Sequence, residues 1–351
     1  MTIATSPNFQ RLLMDPSDPR WEDFIKSQVN ATIFHHPAWI KLLADCYGFR
    51  PFILSIFDDA GNMRAGIPIM EIKSWLTDRR WVSLPFSDYC NPLFDDPVWL
   101  AALTEGLIRL SKEKNILKVE LRWNFPPNEL IHPDSQYVLH TLKLDPDVEK
   151  VLKGVHRTQY QNVRRAEREG FQIEMGKSLD DMRTFYHLQR LTRKRHGLPA
   201  QPWTFFEKLY HQLLEKNLGF ILLAKQADQC MAAGIFLYAG RTLTYKYAAS
   251  NNSEKQNFRS NHLLTWNAIC WGCNNGFNSF DFGRSDAEDP GLRDFKIRWG
   301  AQESTLSYSY FYELPSQQTD SRLMPLMHFV IHKSPLWVGT AMGQFLYKYS
   351  G

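Results

Sequence analysis

The sequence predicts an α/β protein built from two similar units in tandem, each with a mixed central sheet. Three observations point there. The chain has 351 residues, more than one ordinary domain needs. Helical periods alternate with short apolar strands along most of its length. The order of those elements also occurs twice. Ala65-Gly66-Ile67 returns as Ala233-Gly234-Ile235, and in each case a Phe-Ile-Leu run, beginning at Phe52 or at Phe220, lies fourteen residues before the glycine. Each hairpin is followed by a strand, a helix and another strand that ends on an arginine, Arg122 and Arg284. This order reads as an internal duplication; two unrelated α/β halves are the alternative.

In the first half, Pro37 opens a short helix that ends at Tyr47-Gly48. Pro51–Phe57 and Arg64–Ile72 are strands joined by the turn chemistry of Asp58-Asp59-Ala60-Gly61-Asn62. Arg80–Leu84 is a third strand, Pro97–Lys114 a helix and Ile116–Arg122 a strand. In the second half, Asp147–Glu169 reads as one helix stopped by Gly170. Phe171–Met175 is a short strand, and Ser178 with Asp181 forms an acidic capping box for the next helix. Trp203–Asn217 is a helix, Gly219–Lys225 and Cys230–Ala239 a hairpin, and Thr242–Ala249 a strand. Arg259–Asn274 is a helix, with strands at Ser279–Gly283 and Thr305–Glu313. The domains are read as 1–145 and 146–315, with a tail at 316–351. The tail is expected to pack back on the first half; the other reading lays it on a membrane surface through Leu323, Leu326, Phe329, Val330, Trp337, Phe345 and Tyr347.

Composition narrows the function classes. A net charge of +4 is mild and does not call for DNA. The basic residues concentrate between Arg157 and Gly197, where ten Lys or Arg face five acids. Five scattered cysteines do not suggest a disulfide framework and fit a reducing compartment. Met1–Gln10 has neither a basic n-region nor an apolar h-region, and no apolar run reaches the length of a membrane span. A cytoplasmic protein is therefore expected.

Common catalytic signatures are missing: there is no Walker loop, no dinucleotide fingerprint, no His-Glu-x-x-His and no Gly-x-Ser-x-Gly. Cys270-Trp271-Gly272-Cys273 has metal-like spacing but no second pair, and it lies in an apolar helix where such residues share a face. No metal site is expected. His35-His36 precedes a helix-opening proline and reads as a cap or a surface pair rather than as ligands. The most informative stretch is Phe280-Asp281-Phe282-Gly283-Arg284-Ser285, followed by Gly291-Leu292-Arg293-Asp294-Phe295-Lys296-Ile297-Arg298-Trp299-Gly300. Polar groups gather there at the C-terminal end of a strand, where open α/β sheets bind ligands. Lys296, set among apolar neighbours, is either a snorkelling surface lysine or a placed charge.

The Gly-Leu-x-x-Phe-Lys-x-x-Trp-Gly run after Asp-Phe-Gly-Arg-Ser resembles the Fem-type branch of the GNAT acetyltransferase superfamily. Weaker pieces follow in the same order: His36-Pro37-Ala38-Trp39, Ser83-Leu84-Pro85-Phe86-Ser87-Asp88-Tyr89, Asn162-Val163-Arg164-Arg165-Ala166, Leu191-Thr192-Arg193-Lys194-Arg195-His196-Gly197 and Tyr245-Lys246-Tyr247-Ala248-Ala249-Ser250. The resemblance spans roughly residues 30–313. It implies two tandem GNAT-like domains and an acyltransferase, either an aminoacyltransferase or a GNAT-type N-acyltransferase. Lys296 and Tyr247 become the candidate catalytic residues. Arg195, Tyr245, Arg284, Asp281 and Asp88 become candidate substrate contacts.

Chemistry supports those roles separately. An amine attacking an ester or thioester develops an oxyanion, which a fixed cation in a dry cleft stabilises, and a tyrosine in hydrogen-bond reach can relay the proton. Arg157, Arg164 and Arg168, with Gln161, recur at helical spacing and, together with Arg165, form a candidate donor-binding stripe for phosphates; the alternative is a solvated face paired with Glu167 and Glu169. The donor, aminoacyl-tRNA or acyl-CoA, is expected as a co-substrate rather than a tightly bound cofactor. His262 stands where CoA enzymes carry a phosphate-approaching glycine, which favours aminoacyl-tRNA. The acceptor is expected to be an amine or hydroxyl of a cell-envelope, polysaccharide or peptide substrate. The competing readings are an acyl-CoA-dependent acetyltransferase of exopolysaccharide synthesis and a non-catalytic binder of anionic glycan or RNA.

Overall fold

A computed structural model of the chain describes residues 9–73, 79–251, 258–312 and 323–347. The chain divides into two compact units: Met1–Gln136 with Leu306–Pro315 and Lys348–Gly351, and Tyr137–Thr305 with Ser316–Tyr347. The elements in order are β1 (Gln10–Met14), α1 (Pro19–Ser27), α2 (Pro37–Tyr47), β2 (Arg50–Phe57), β3 (Met63–Ile72), β4 (Arg80–Val82), β5 (Leu93–Phe94), α3 (Pro97–Glu113), β6 (Lys118–Leu121) and β7 (Ile131–Lys143). There follow α4 (Val148–Gly154), α5 (Arg157–Arg168), β8 (Phe171–Gly176), α6 (Leu179–Arg195), α7 (Trp203–Leu209), β9 (Gly219–Gln226), β10 (Gln229–Ala239), β11 (Thr242–Ser250), α8 (Phe258–Asn274), β12 (Ser279–Asp286), α9 (Pro290–Ile297), β13 (Gln302–Phe311), α10 (Leu323–Lys333) and α11 (Leu336–Leu346).

The duplication is visible in the topology of each unit. The first has strand order β1-β2-β3-β4-β6-β13, with β5 on β3; the second has β8-β9-β10-β11-β12-β7. In both orders one neighbouring pair is parallel, β4 with β6 and β11 with β12. The other pairs are antiparallel. The last strand of each order comes from the opposite half of the chain. β7 pairs with β12, and the far end of β13 pairs with β6. The sequence missed β7 because its first half, Ile131-His-Pro-Asp-Ser-Gln, is polar and carries a proline, and so reads as a loop.

Within the second unit the sheet lies between two helical layers. Phe171, Phe220, Leu222, Phe236, Leu243, Phe280 and Phe282 pack with Leu263, Leu264, Ile269 and Trp299 to form the core on the α8 side. The other face is covered by α6 and α7, through Phe185, Phe205 and Phe206. Burial of this much apolar surface, at about 25 cal/mol per Å2, is what holds the layers together.

Two helices expected as single elements are divided. The reading of Asp147–Glu169 as one helix fails at Val155-His156. His156 takes an extended conformation, its side chain accepts from Thr158 N, and its own N–H donates to Arg298 O at 2.8 Å. A new helix therefore starts at Arg157. After α7, residues Tyr210–Leu214 form a π-helical turn. The Ser178–Asp181 capping box is present as read. The tail does not pack back on the first half: α10 and α11 lie against α6 in the second unit. The cause is close backbone approach. Ala200 N donates to Gly339 O at 3.2 Å, and a Cβ on Gly343 would stand 1.8 Å from Ala200 O. Only glycine fits there.

In the first unit, His35 caps rather than ligates. Its Nδ1 accepts from Thr32 N at 3.0 Å, and its Nε2–H donates to Asn91 O at 2.8 Å. Burial pushes this imidazole down to about 4. The folded state therefore holds it neutral, and its contribution is fully present above about pH 6.5 and is lost as pH falls towards 4, up to about 3 kcal/mol in total. Denaturant unfolding along an acid series measures this: stability falls over that window in the native chain, and the fall is shallower in His35→Gln.

Candidate active site

The second unit's site follows from how its parallel pair ends. The β11–β12 ladder covers Thr242–Thr244 against Ser279–Asp281 and stops. Both strands continue, to Ser250 and to Asp286, without further ladder pairs between them. An opening between two strands of a sheet offers a slot for an extended ligand.

Each wall of the slot is bent by a bulge. On β12 the register against β7 shifts between Asp281 and Arg284, with Gly283 at φ 70°. Asp281, fully buried, accepts from Gly283 N at 2.7 Å. Lys296 reaches the same bulge from α9, donating to Gly283 O at 2.9 Å and to Arg284 O at 3.0 Å. Its side chain is only 5% exposed. Lys296 is thus a placed charge rather than a snorkelling one. A buried acid and a buried base fix the donor and acceptor groups of one bulge from opposite signs. Arg284 extends over the Tyr137 ring, 4.2 Å from its centroid.

The Phe-Lys motif accounts for this placement. Asp289 caps α9 by accepting from Leu292 N at 3.0 Å. Phe295 and Trp299 pack around His262 of α8. Gly300 has φ 83° and leaves no room for a Cβ beside Gly154 O. Beside Lys296 is a group that sequence reading missed: His140 of β7, fully buried, with Nε2 3.0 Å from Glu303, which also takes two bonds from Arg293. Burial and then the Lys296 ammonium push His140 below its ordinary range, so Lys296 gains no second cation beside it at neutral pH.

On β11 a bulge at Lys246 pairs Tyr245 with Phe236 and Tyr247 with Ile235. Two residues apart normally means one face, but the extra residue sends the tyrosines to opposite faces. Tyr245 stacks on Phe236 at 4.5 Å, and burial raises its hydroxyl far above the usual range. It stays protonated. Tyr247 turns to α6 and α7, with its ring 5.5 Å from that of Phe206. Arg195, at the end of α6, donates to Ser250 O at 3.2 Å, where β11 finishes; Thr192 holds the same residue through two further bonds.

The arginine stripe lies on α5, whose Gln159 donates to Phe295 O of α9 at 3.0 Å. Arg157, Arg164, Arg165 and Arg168 are exposed on α5, and Arg164 and Arg165 pair with Glu167 and Glu169 at 3.2 and 3.3 Å. His262 faces inward, buried, 3.3 Å from Asn162. Asp88 belongs to the first unit, in the segment Ser83–Asn91, which is pinned to its surroundings. Trp39 Nε1 donates to Ser87 at 2.8 Å, Tyr308 to Asp88 O at 2.7 Å and Arg122 to Ser87 O at 2.9 Å. Leu84 and Phe86 hold positive φ there. Ser83 N and Cys90 N bond to Glu120 O and Arg122 O, so beside β6 the place that matches the slot is filled by the chain itself. A separate cavity of about 380 Å3, lined in part by Tyr210, Tyr238 and Trp271, lies at the other end of the second unit's strands.

Residues 154–296 match a family model described as an acetyltransferase (GNAT) domain, which ends on Lys296. The chain is 23% identical over 168 residues to a UDP-N-acetylmuramoylpentapeptide-lysine N(6)-alanyltransferase of Weissella viridescens, covering 47% of this chain and 49% of that one. It is 23% identical over 207 residues to a lipid II:glycine glycyltransferase of Staphylococcus saprophyticus subsp. saprophyticus, covering 56% of this chain and 44% of that one. The crystal structure of FemX superposes with a TM-score of 0.69 at 16% identity, covering 92% of this chain and all (100%) of that one. Residues 154–296 thus match a GNAT-type domain, and the likenesses together support a Fem-related branch of the GNAT superfamily. It spans about half the length of the curated relatives it matches. Among the described residues no helix is long and apolar enough to cross a membrane, and no cluster of His, Cys, Asp or Glu is suited to a metal.

Lys296 has a structural duty whatever its chemistry. Lys296→Met leaves two carbonyls of the bulge without their donor. The expected cost is about 1–3 kcal/mol, or more because the lost donor is charged, read as a lower denaturant midpoint.

Proposed function

We propose that the second unit transfers an activated acyl group, an aminoacyl group in the favoured reading, to an amine or hydroxyl of a cell-envelope or peptide acceptor. The observation that carries this is the β11–β12 slot with Lys296 and Asp281 fixing the bulge on its wall. The named transferase activities of the two curated relatives support the reaction class.

The reaction needs few parts. The acceptor amine attacks the acyl carbonyl, the carbonyl oxygen gains charge, the donor's ester or thioester bond breaks, and the amine loses a proton. Lys296 supplies positive charge at the slot wall, directly or by holding the bulge backbone in place. Tyr247 is the better placed of the two tyrosines to pass the proton, because the environment of Tyr245 holds its hydroxyl far above the usual range. Arg195, exposed beside the end of β11, suits an anionic part of the acceptor. No acyl-enzyme is required. Burial pushes the Cys230 and Cys270 thiols up to about 11 and about 12, which makes them poor nucleophiles at neutral pH.

An aminoacyl-tRNA donor is favoured over a CoA ester because buried His262 leaves no glycine approach at that turn of α8, while the exposed α5 arginines suit a polyphosphate backbone. Transfer of a labelled amino acid from charged tRNA to an envelope precursor amine is the test, with acyl-CoAs run in parallel. We expect turnover with charged tRNA, weaker binding as salt rises, and a loss of about 100- to 1,000-fold in Lys296→Met, assayed below that variant's melting range. Turnover with acyl-CoA alone overturns the aminoacyl reading. Full activity in folded Lys296→Met overturns the site.

A further inference from the structure

Helix α11 is built inside out for a helix in water, and α10 adds exposed apolar groups beside it. On α11 the buried residues are Gly339 and Gly343. The exposed ones are Trp337, Ala341, Gln344 and Phe345, a set whose spacing of four, three and one puts them on one face. Trp337 is 66% exposed and Phe345 55%. On α10, Ile331 is buried while Phe329, 64% exposed, and Val330 face solvent together with Lys333. On α11 large aromatic groups point out and glycines point in, the reverse of a surface helix that serves only its own core.

Charge says what covers this face. From Ser321 to Gly351 there is no Asp or Glu, while Arg322, Lys333 and Lys348 are basic. Behind the helices, on the side opposite the exposed aromatics, the tail is held on α6, where Arg193 donates to Tyr347 at 3.0 Å. Exposed aromatic side chains on short helices, with exposed Lys333 beside them and no acid in the sequence of the tail, match the head-group zone of an anionic bilayer. We infer that α10 and α11 dock the protein on an anionic lipid surface without crossing it. The inference is independent of which donor the slot takes.

The test is co-sedimentation of the full chain with vesicles of phosphatidylcholine alone or mixed with phosphatidylglycerol. Binding is expected to the mixed vesicles, to weaken with salt, and to drop about tenfold in a Trp337→Ser, Phe329→Ser double variant whose melting temperature is unchanged because both side chains are exposed. Lys333→Glu should weaken binding further. Equal binding to both vesicle types, equal binding by the double variant, or no binding at low salt overturns the inference. So does a dimer that the same double variant dissolves while vesicles stay unbound.

Discussion

The ladder between β11 and β12 ends after Thr244 and Asp281, and the second unit is organised around that ending. Two strands of a buried sheet that stop bonding leave backbone groups needing other partners. The chain meets part of that need with charge. Asp281 takes the Gly283 N–H, and Lys296 takes the Gly283 and Arg284 carbonyls. Burying either charge alone would cost several kcal/mol; opposite charges on adjacent groups of one bulge offset each other. The Phe-Lys-x-x-Trp-Gly run is the scaffold for this, since Phe295, Trp299 and Gly300 seat α9 against α8 and α4.

The same ending exists in the first unit's topology, with a different outcome. There β4 and β6 also pair over three residues, but Ser83 and Cys90 bond to β6 and close the place with the chain itself. A duplicated fold has thus kept one open position and used the other to pin a segment that carries Asp88. The energetic logic is the same in both: a parallel pair that diverges must be satisfied, by its own chain or by a ligand.

Much of this was legible in the sequence, for physical reasons. The hairpins, the repeated order and the Ser178 cap declare themselves through apolar alternation, turn chemistry and short-range capping bonds. Lys296, Asp281 and Arg284 could be grouped because they sit close in the chain around one strand end. What was not legible depends on distant partners. β7 is a strand because β12 lies beside it, not because its polar first half prefers to be one. His140 acquires its Glu303 and Lys296 neighbours only through that pairing. The tail lies on α6 because Gly339 and Gly343 admit Ala200, a match that periodicity cannot see. The bulge at Lys246 parts two tyrosines that strict alternation would keep together.

The central claim is that the slot between β11 and β12 receives the donor. Hydrogen–deuterium exchange of the intact chain, with and without charged tRNA, tests it most directly. Slowed exchange in Tyr245–Ser250 and Gly283–Asp286 on donor addition is the predicted result. Protection confined to Ser83–Asn91, or to the cavity beside Trp271, with those two strand ends unchanged, would contradict it.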